Sequence, residues 1–298
     1  MQVKTKGMIV GNIAVNGAFA LISLACVVPL LLVVSGSFTS DQSLAVNGYT
    51  LIPKDFSLNA YKYIFNSPKQ ILNSYRVTMF VTLVGTAISL LCTGMLGYVM
   101  ARRDYALHRL FSFILLFILL FHGGMVPGYV IMTKYYHLKN NIWVLILPNV
   151  ILPWNVFLMR GFFSDIPTTL IDAAKIDGAQ ELSIFFRIIV PISKPAFATI
   201  GVFISFMYWN EWMLSLLYIE DPQLTSLQFY LYRIMSNVQF LLKTLREVGE
   251  INSITLLDIP GESARMALCV LAAGPMLFIF PFFQRYFVRG LTIGAVKG

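Results

Sequence analysis

Charged side chains are scarce in this sequence. Asp, Glu, Lys and Arg make up 12% of its 298 residues, and only 14 of them are acidic. A soluble domain carries roughly twice that fraction to keep its surface in water, so an ordinary soluble protein is excluded. Cysteine is nearly missing. Cys26, Cys92 and Cys269 all fall inside apolar runs, without the spacing of a disulfide framework or a metal site, and each reads as packing. Catalytic signatures are lacking too. No G-x-x-x-x-G-K-[ST] stretch is present to cradle phosphates, no H-E-x-x-H pair to hold a metal, and no G-x-S-x-G elbow. His108, His122 and His137 are dispersed. No catalytic residue and no metal ligand is expected in this chain.

What is present is hydrophobicity: 57% of the residues are apolar and the mean hydropathy is +0.74. Six apolar runs reach the roughly 20 residues that a helix needs to cross a hydrocarbon core. They lie near Ile13–Ser37, Val77–Ala101, Leu110–Met132, Ile142–Phe162, Ala196–Ile219 and Met266–Val288. The runs are continuous and do not alternate, which favours helices over a barrel. The sequence thus predicts an all-α integral membrane protein, one transmembrane domain over residues 1–298 with six helices. Lys4 and Lys6 before the first run resemble a secretory signal, but the apolar stretch Met8–Val34 is far longer than a signal core. It reads as a retained first span.

Orientation follows from Lys and Arg. With the N-terminus inside, the cytoplasm receives Lys4, Lys6, Arg102, Arg103, Arg109, Arg160, Lys175, Arg187, Lys194, Arg285, Arg289 and Lys297. The tight Arg102-Arg103 and Arg285/Arg289 clusters at span ends favour this choice, which puts both termini in the cytoplasm. The net charge of +8 then reports topology at a lipid surface and does not imply nucleic acid.

Outside, the stretch from Phe38 to Tyr75 is too aromatic for a disordered linker, and a helix is expected near Leu227–Val238. Either could present ordered surface or pack on the spans beneath. Inside, the segment from Arg160 to Lys194, with residues 164–194 as its polar part, has its own grammar. Thr169-x-x-Asp172 predicts a capping-box-like helix start, with Asp172 at the positive end of the dipole. Ala173 and Ala174 are helix formers with little bulk, so a partner surface can approach. Gly178 stands where a helix stop needs a left-handed residue. A second short helix is expected over Gln180–Ile189, apolar through Leu182, Phe185, Phe186 and Ile189, before Pro191 and Pro195 end it and start the next span. The segment reads as a docking surface for another protein; the alternative is an amphipathic connector lying on the membrane.

This segment resembles a signature of permease subunits of bacterial ABC importers: Glu-Ala-Ala, three residues, Gly, nine residues, Ile-x-Leu-Pro. Here it reads Asp172-Ala173-Ala174, Gly178, and Ile188-x-Val190-Pro191 at the same spacing, with Asp for Glu and Val for Leu. The ending from Arg289 to Gly298 is similar to the smaller permease of the maltose-type carbohydrate class. The stretches Pro53–Ser57 and Gly123–Pro127 are similar to a subgroup for complex oligosaccharides and polysaccharides, alginate importers among them. The resemblance implies the type I importer permease fold, in the bacterial cytoplasmic membrane. It implies a coupling helix at Asp172, Ala173, Ala174, Asp177, Gly178, Ile188 and Pro191, seated on an ATPase subunit, with Gly294, Lys297 and Gly298 as further contacts. The implied partners are a second permease, two ATPase subunits that bind ATP and Mg, and an extracellular or periplasmic sugar-binding protein. No cofactor is implied in this chain, which would not itself be an enzyme.

For the transport path, Glu211 is the one acid within an apolar run, in Trp209-Asn210-Glu211-Trp212. Aromatic faces beside polar groups suit a sugar. Equally, at about 24 Å along a helix from Pro195 it falls near the outer interface, where a Trp belt is expected anyway. Trp154 and Asn155 form a similar pair. Gly123-Gly124 with Pro127-Gly128 predicts a break in the third span. The competing functions are a permease of the same architecture for another solute and a self-contained secondary transporter. The second predicts internal repeats or charged spans, and neither is found.

Overall fold

Glycine, proline and buried polar residues decide where these apolar runs bend. A computed structural model describes residues 6–248 and 261–277. In chain order its helices are α1 (Lys6–Ser37), α2 (Asp41–Asn47), α3 (Asn59–Ile64), α4 (Pro68–Ala101), α5 (His108–Leu120), α6 (Met125–Val130) and α7 (Pro153–Ser164). They continue as α8 (Thr168–Ile176), α9 (Glu181–Ile184), α10 (Val190–Ile192), α11 (Lys194–Trp209), α12 (Met213–Tyr218) and α13 (Leu227–Val248). Residues 262–277 are helical as well, α14. Among the described residues the only β-pairing is an isolated bridge between Thr39 and Phe56.

Among the described residues, two uninterrupted helices are long and apolar enough to cross a membrane, Val15–Ser37 and Pro68–Ala101. Three of the other expected spans are bent. The third is interrupted by the Gly-rich stretch after Leu120, where Gly124 takes φ +88°, and turns by 114°. The break falls where the glycines predict it: α5 stops at Leu120, and Gly124, in a positive-φ conformation open to glycine, leads into α6. The fourth is two 3-10 turns, Ile142–Leu145 and Leu147–Asn149, followed by α7 at 50°. The fifth enters through an 86° bend at Ser193. It is not continuous to Ile219 as its hydropathy suggests, since Asn210–Trp212 separates α11 from α12. The sixth expected span is helical over its described residues, 266–277.

The chain forms two compact units, residues 1–68 with 231–274 and residues 69–230 with 275–298. In the first, the aromatic outer stretch is ordered. The Phe38 ring stacks on Phe56 and Tyr61, at 5.8 and 5.1 Å between centroids. The Asp41 carboxylate accepts from the backbone N–H groups of Gly261, Glu262 and Ser263 at 3.1, 2.8 and 3.1 Å, and from the Ser263 hydroxyl. It satisfies the free donors at the start of α14. The helix expected over 227–238 is longer, reaching Val248.

In the second unit, the core joins Val77, Val81 and Tyr98 of α4, Met159 and Phe163 of α7, and Ile200, Ile204 and Tyr208 of α11. Close approach depends on small residues on α4, the usual means of helix association where lipid is the solvent. A Cβ on Gly85 would lie 2.8 Å from the Tyr208 ring, one on Gly94 2.8 Å from Phe197, and one on Gly97 3.0 Å from Met159. The Tyr208 hydroxyl donates at 2.9 Å to the Ile146 carbonyl, which also accepts the Asn149 N–H at 3.2 Å, tying α11 to the junction of the two 3-10 turns. Thr78 of α4 similarly accepts the Leu227 N–H at 2.7 Å, at the start of α13.

Candidate functional site

Helix α8 is short and exposed, and both of its ends are defined. It begins after Pro167, two residues earlier than the capping-box reading places it. Thr169 is therefore already helical and no side chain caps the N-terminus; Asp172 lies in the middle of the helix, away from its positive end. This corrects the expected start: Pro167 at φ −58° sets the entry. The expected stop holds. Gly178 takes φ +81°, its N–H bonds to the Lys175 carbonyl at 3.0 Å, and the Ala179 N–H bonds to Ala174 at 2.9 Å. These two bonds are the Schellman pattern, which consumes the last free carbonyls of a helix.

The two alanines do not share a face. Ala174 and Ile171 are buried in the core, whereas Asp172, Ala173, Asp177 and Gly178 are exposed. Ile176, at the end of α8, is 86% exposed, an apolar side chain that no described residue covers. Leu170, Ala173 and Ile176, three residues apart, form an outward strip. Sequence reasoning placed the helix but did not single out Ile176; its position next to the helix stop was the available signal.

The segment after Gly178 differs from the expected single helix. Helix α9 passes into a π turn, Phe185–Ile189, closed by the Val190 N–H on the Phe185 carbonyl. Ile184, Phe185 and Ile189 enter the core, and Leu182 and Phe186 are left exposed, at 61% and 49%. The apolar side is thus not the one that regular helical spacing gives. Ile188 is half-buried and Pro191 exposed.

An ion-pair network fixes α8 and α9 to the end of α4. Arg102, with its side chain 11% exposed, donates Nη1 to Glu181 at 2.9 Å and to the Tyr98 hydroxyl at 2.7 Å, and Nε to Asp104 at 2.6 Å. Lys175 reaches Glu181 at 3.2 Å and Asp104 at 3.3 Å. The hydrogen bond from Arg102 holds the Asp104 carboxyl well below its usual range, against partial burial, and Lys175 adds to it. Burial alone would raise the Glu181 carboxyl, but hydrogen bonds from Lys175, Arg102 and Tyr98 outweigh it and keep it low. The Lys175 ammonium is raised, by Glu181 first. These groups border a cavity of about 440 Å³ between α4 and α9, and on the other side of Arg102 a cleft of about 450 Å³ reaches Thr168, Ile171 and Asp172. Separations of 79 residues between Arg102 and Glu181 hide this network from a sequence reading, which used Arg102 only for topology.

The path candidates separate. Trp209 ends α11 and is buried; Asn210, Glu211 and Trp212 form the break before α12. Glu211 is structurally engaged: one carboxylate oxygen accepts from Asn149 Nδ2 at 3.2 Å and the other from the Leu214 N–H at 3.0 Å. Asn210 is exposed, and its side-chain amide donates to the Phe206 carbonyl at 2.8 Å. On α7, Trp154 is 63% exposed and Asn155 buried, so these neighbours do not form one surface. Gly294, Lys297 and Gly298 lie outside the described residues.

The profile of the family described as "Binding-protein-dependent transport system inner membrane component" matches residues 74–293. The "Polygalacturonan/rhamnogalacturonan transport system permease protein YtcP" of Bacillus subtilis is 36% identical over 287 residues, 96% of this chain and 98% of that protein. The "Arabinooligosaccharides transport system permease protein AraQ" of Halalkalibacterium halodurans is 32% identical over 286 residues, 94% of both. A chain from the crystal structure of a bacterial ABC transporter involved in the import of the acidic polysaccharide alginate shares the fold. It has a TM-score of 0.74 and 24% identity, covering 96% of this chain and all of that one. On a profile match that takes in the exposed helix, its left-handed glycine and the ion-pair network, this chain belongs to the family of binding-protein-dependent transport system inner membrane components.

Proposed function

We propose that this chain is one of two permease subunits of an ATP-driven importer for an oligosaccharide or polysaccharide, with both termini in the cytoplasm. Helix α8 is its coupling helix. Two ATPase subunits bind ATP and Mg and receive α8 in a cleft, with Gly294, Lys297 and Gly298 as further contacts; a sugar-binding protein delivers substrate from outside. The observation that carries this reading is α8 itself, exposed along Leu170, Ala173 and Ile176 and closed by Gly178 at φ +81°. An apolar strip on a rigid two-turn helix offers close contact without adaptable side chains, which suits transmission of a rigid-body movement.

Behind that strip, Ile171 and Ala174 enter the core and Lys175 is tied to Asp104 and Glu181. A push on α8 therefore reaches α4 through the Arg102 network and α11 through the bend at Ser193. For the sugar path, the exposed Asn210 and the half-buried Trp212 supply a polar and an aromatic group where α11 breaks. The two hydrogen bonds of Glu211 hold that break in shape. The names of the relatives described above support an oligosaccharide or polysaccharide as cargo.

Co-expression with the neighbouring genes tests the assembly. The tagged chain is expected to bring down an ATPase subunit and a second permease, and reconstituted vesicles to take up oligogalacturonide only with ATP inside. Purification of this chain alone, with ATP-independent uptake, would replace this reading with a secondary transporter.

A further inference from the structure

A second site lies where α4 ends, α5 begins and α7 ends. A cavity of about 330 Å³ there is walled by Arg103, His108, Arg109, Arg160 and Ser164 and floored by Met100 and Ala101. Arginines from three chain segments line it, and among the described residues no acidic one does. The nearby carboxylates of Asp104 and Glu181 are engaged by Arg102 and Lys175 instead. Arg103, Arg109 and Arg160 make no ion pair among the described residues. Gathering like charges around one cavity is unfavourable unless an anion occupies it. Helix α5 also starts at this point with no side-chain cap, so the positive end of its dipole adds to the field.

The shape beyond the cavity distinguishes between anions. From Arg109, α5 runs away with Leu110, Phe113, Ile114 and Phe117 exposed at 51, 66, 42 and 52%. Their spacing places them on one side of the helix, an apolar lane that starts beside the cationic pocket. A free phosphate would use the pocket only, whereas a phospholipid uses both. We propose that Arg103, His108, Arg109, Arg160 and Ser164 form a binding site for the phosphate headgroup of an anionic phospholipid, with an acyl chain laid along α5. The arginines act as charge partners for the phosphodiester, while Ser164, whose hydroxyl donates to the Arg160 carbonyl at 2.8 Å, and His108, whose Nδ1 bonds to the Tyr105 carbonyl at 2.7 Å, shape its wall. The site goes beyond the coupling role of α8 and does not depend on it.

Native mass spectrometry of the full assembled transporter, released from micelles containing phosphatidylglycerol and phosphatidylcholine, tests this. The wild-type protein is expected to retain phosphatidylglycerol preferentially. Each of Arg103→Gln, Arg109→Gln and Arg160→Gln should cut the preference about fivefold, since one basic residue at an anionic surface is worth about that factor. The corresponding Lys variants should keep most of it, which separates charge from folding. Arg76→Gln, at the other end of α4, should leave it unchanged. Equal retention of the two lipids would overturn the proposal, as would a preference indifferent to all three arginines. Inorganic phosphate occupying the site with no hold on phosphatidylglycerol would also overturn it, in favour of a small-anion site. Lipid retention is read without ATP or sugar, so its failure is distinct from a failure of the transport reading.

Discussion

Gly178 offers the sharpest perturbation, because the structure separates two reasons for a glycine. A Cβ built there meets nothing within 4 Å among the described residues, so the first side-chain atom has room. The residue is instead needed for its backbone, at φ +81°. An L-residue with a Cβ held in the left-handed region costs about 1–2 kcal/mol, which shifts the balance between a capped and a frayed α8 about 5–30-fold. Asn tolerates this region, Ala less so, and a β-branched residue least. ATP-coupled uptake in reconstituted vesicles should therefore fall in the order Gly178, Gly178→Asn, Gly178→Ala, Gly178→Val. The Asn variant should be closest to wild type and the Val variant nearly inactive though normally inserted. If Asn is as damaging as Val, the glycine is required for space beside a partner, and the backbone reasoning is wrong. If Val is harmless, α8 does not carry coupling.

Arg102→Gln should loosen α8 from α4 and lower both thermal stability in detergent and coupled ATPase activity more than Arg103→Gln, because Arg102 alone bonds Tyr98, Asp104 and Glu181. The same network sets a pH dependence. Asp104 and Glu181 are held below their ordinary values, so their contribution is complete above about pH 4–5, the unfolded carboxylate range. It is lost as pH falls further through their depressed values; hydrogen exchange at α8 should rise there and stay flat between neutral pH and about pH 5. Gly85→Ala forces a methyl into the Tyr208 ring, 2.8 Å from the nearest atom. Overpacking of this kind costs about 1–3 kcal/mol, measurable as a lower unfolding temperature, and Tyr208→Phe, which keeps the ring and removes only the hydroxyl, should not relieve it.

Scarce charge and long apolar runs made the membrane class legible in the sequence, and turn chemistry the exposed helix and its stop. Gly178 could be read because only one backbone conformation explains a glycine after a short helix, and Gly123-Gly124 because they interrupt an otherwise unbroken apolar run. Hydropathy could not show that the fifth span breaks at Asn210, since the break is held by Glu211 reaching Asn149, 62 residues away in sequence. The start of α8 was misplaced by two residues because Thr169 and Asp172 have capping spacing, yet Pro167 takes the entry. The sidedness of residues 181–189 was misread because a π turn shifts every later side chain, and apolar residues on both sides left no periodic signal. The hydroxyls of Ser74, Thr82, Thr86, Ser89 and Thr93 along α4 are buried without hydrogen-bond partners among the described residues. Sequence reading passed over them, as each sits singly in an apolar run.

The most direct test of α8 as the contact to an ATPase is photo-crosslinking from single positions in the assembled complex. A photoreactive side chain at Ala173 or Ile176, which face outward, is predicted to capture the ATPase subunit. One at Ala174, 8% exposed and turned into the core, is predicted to capture only this chain. Crosslinks from Ala173 and Ile176 to lipid alone, with the ATPase subunit present and active, would contradict the coupling role.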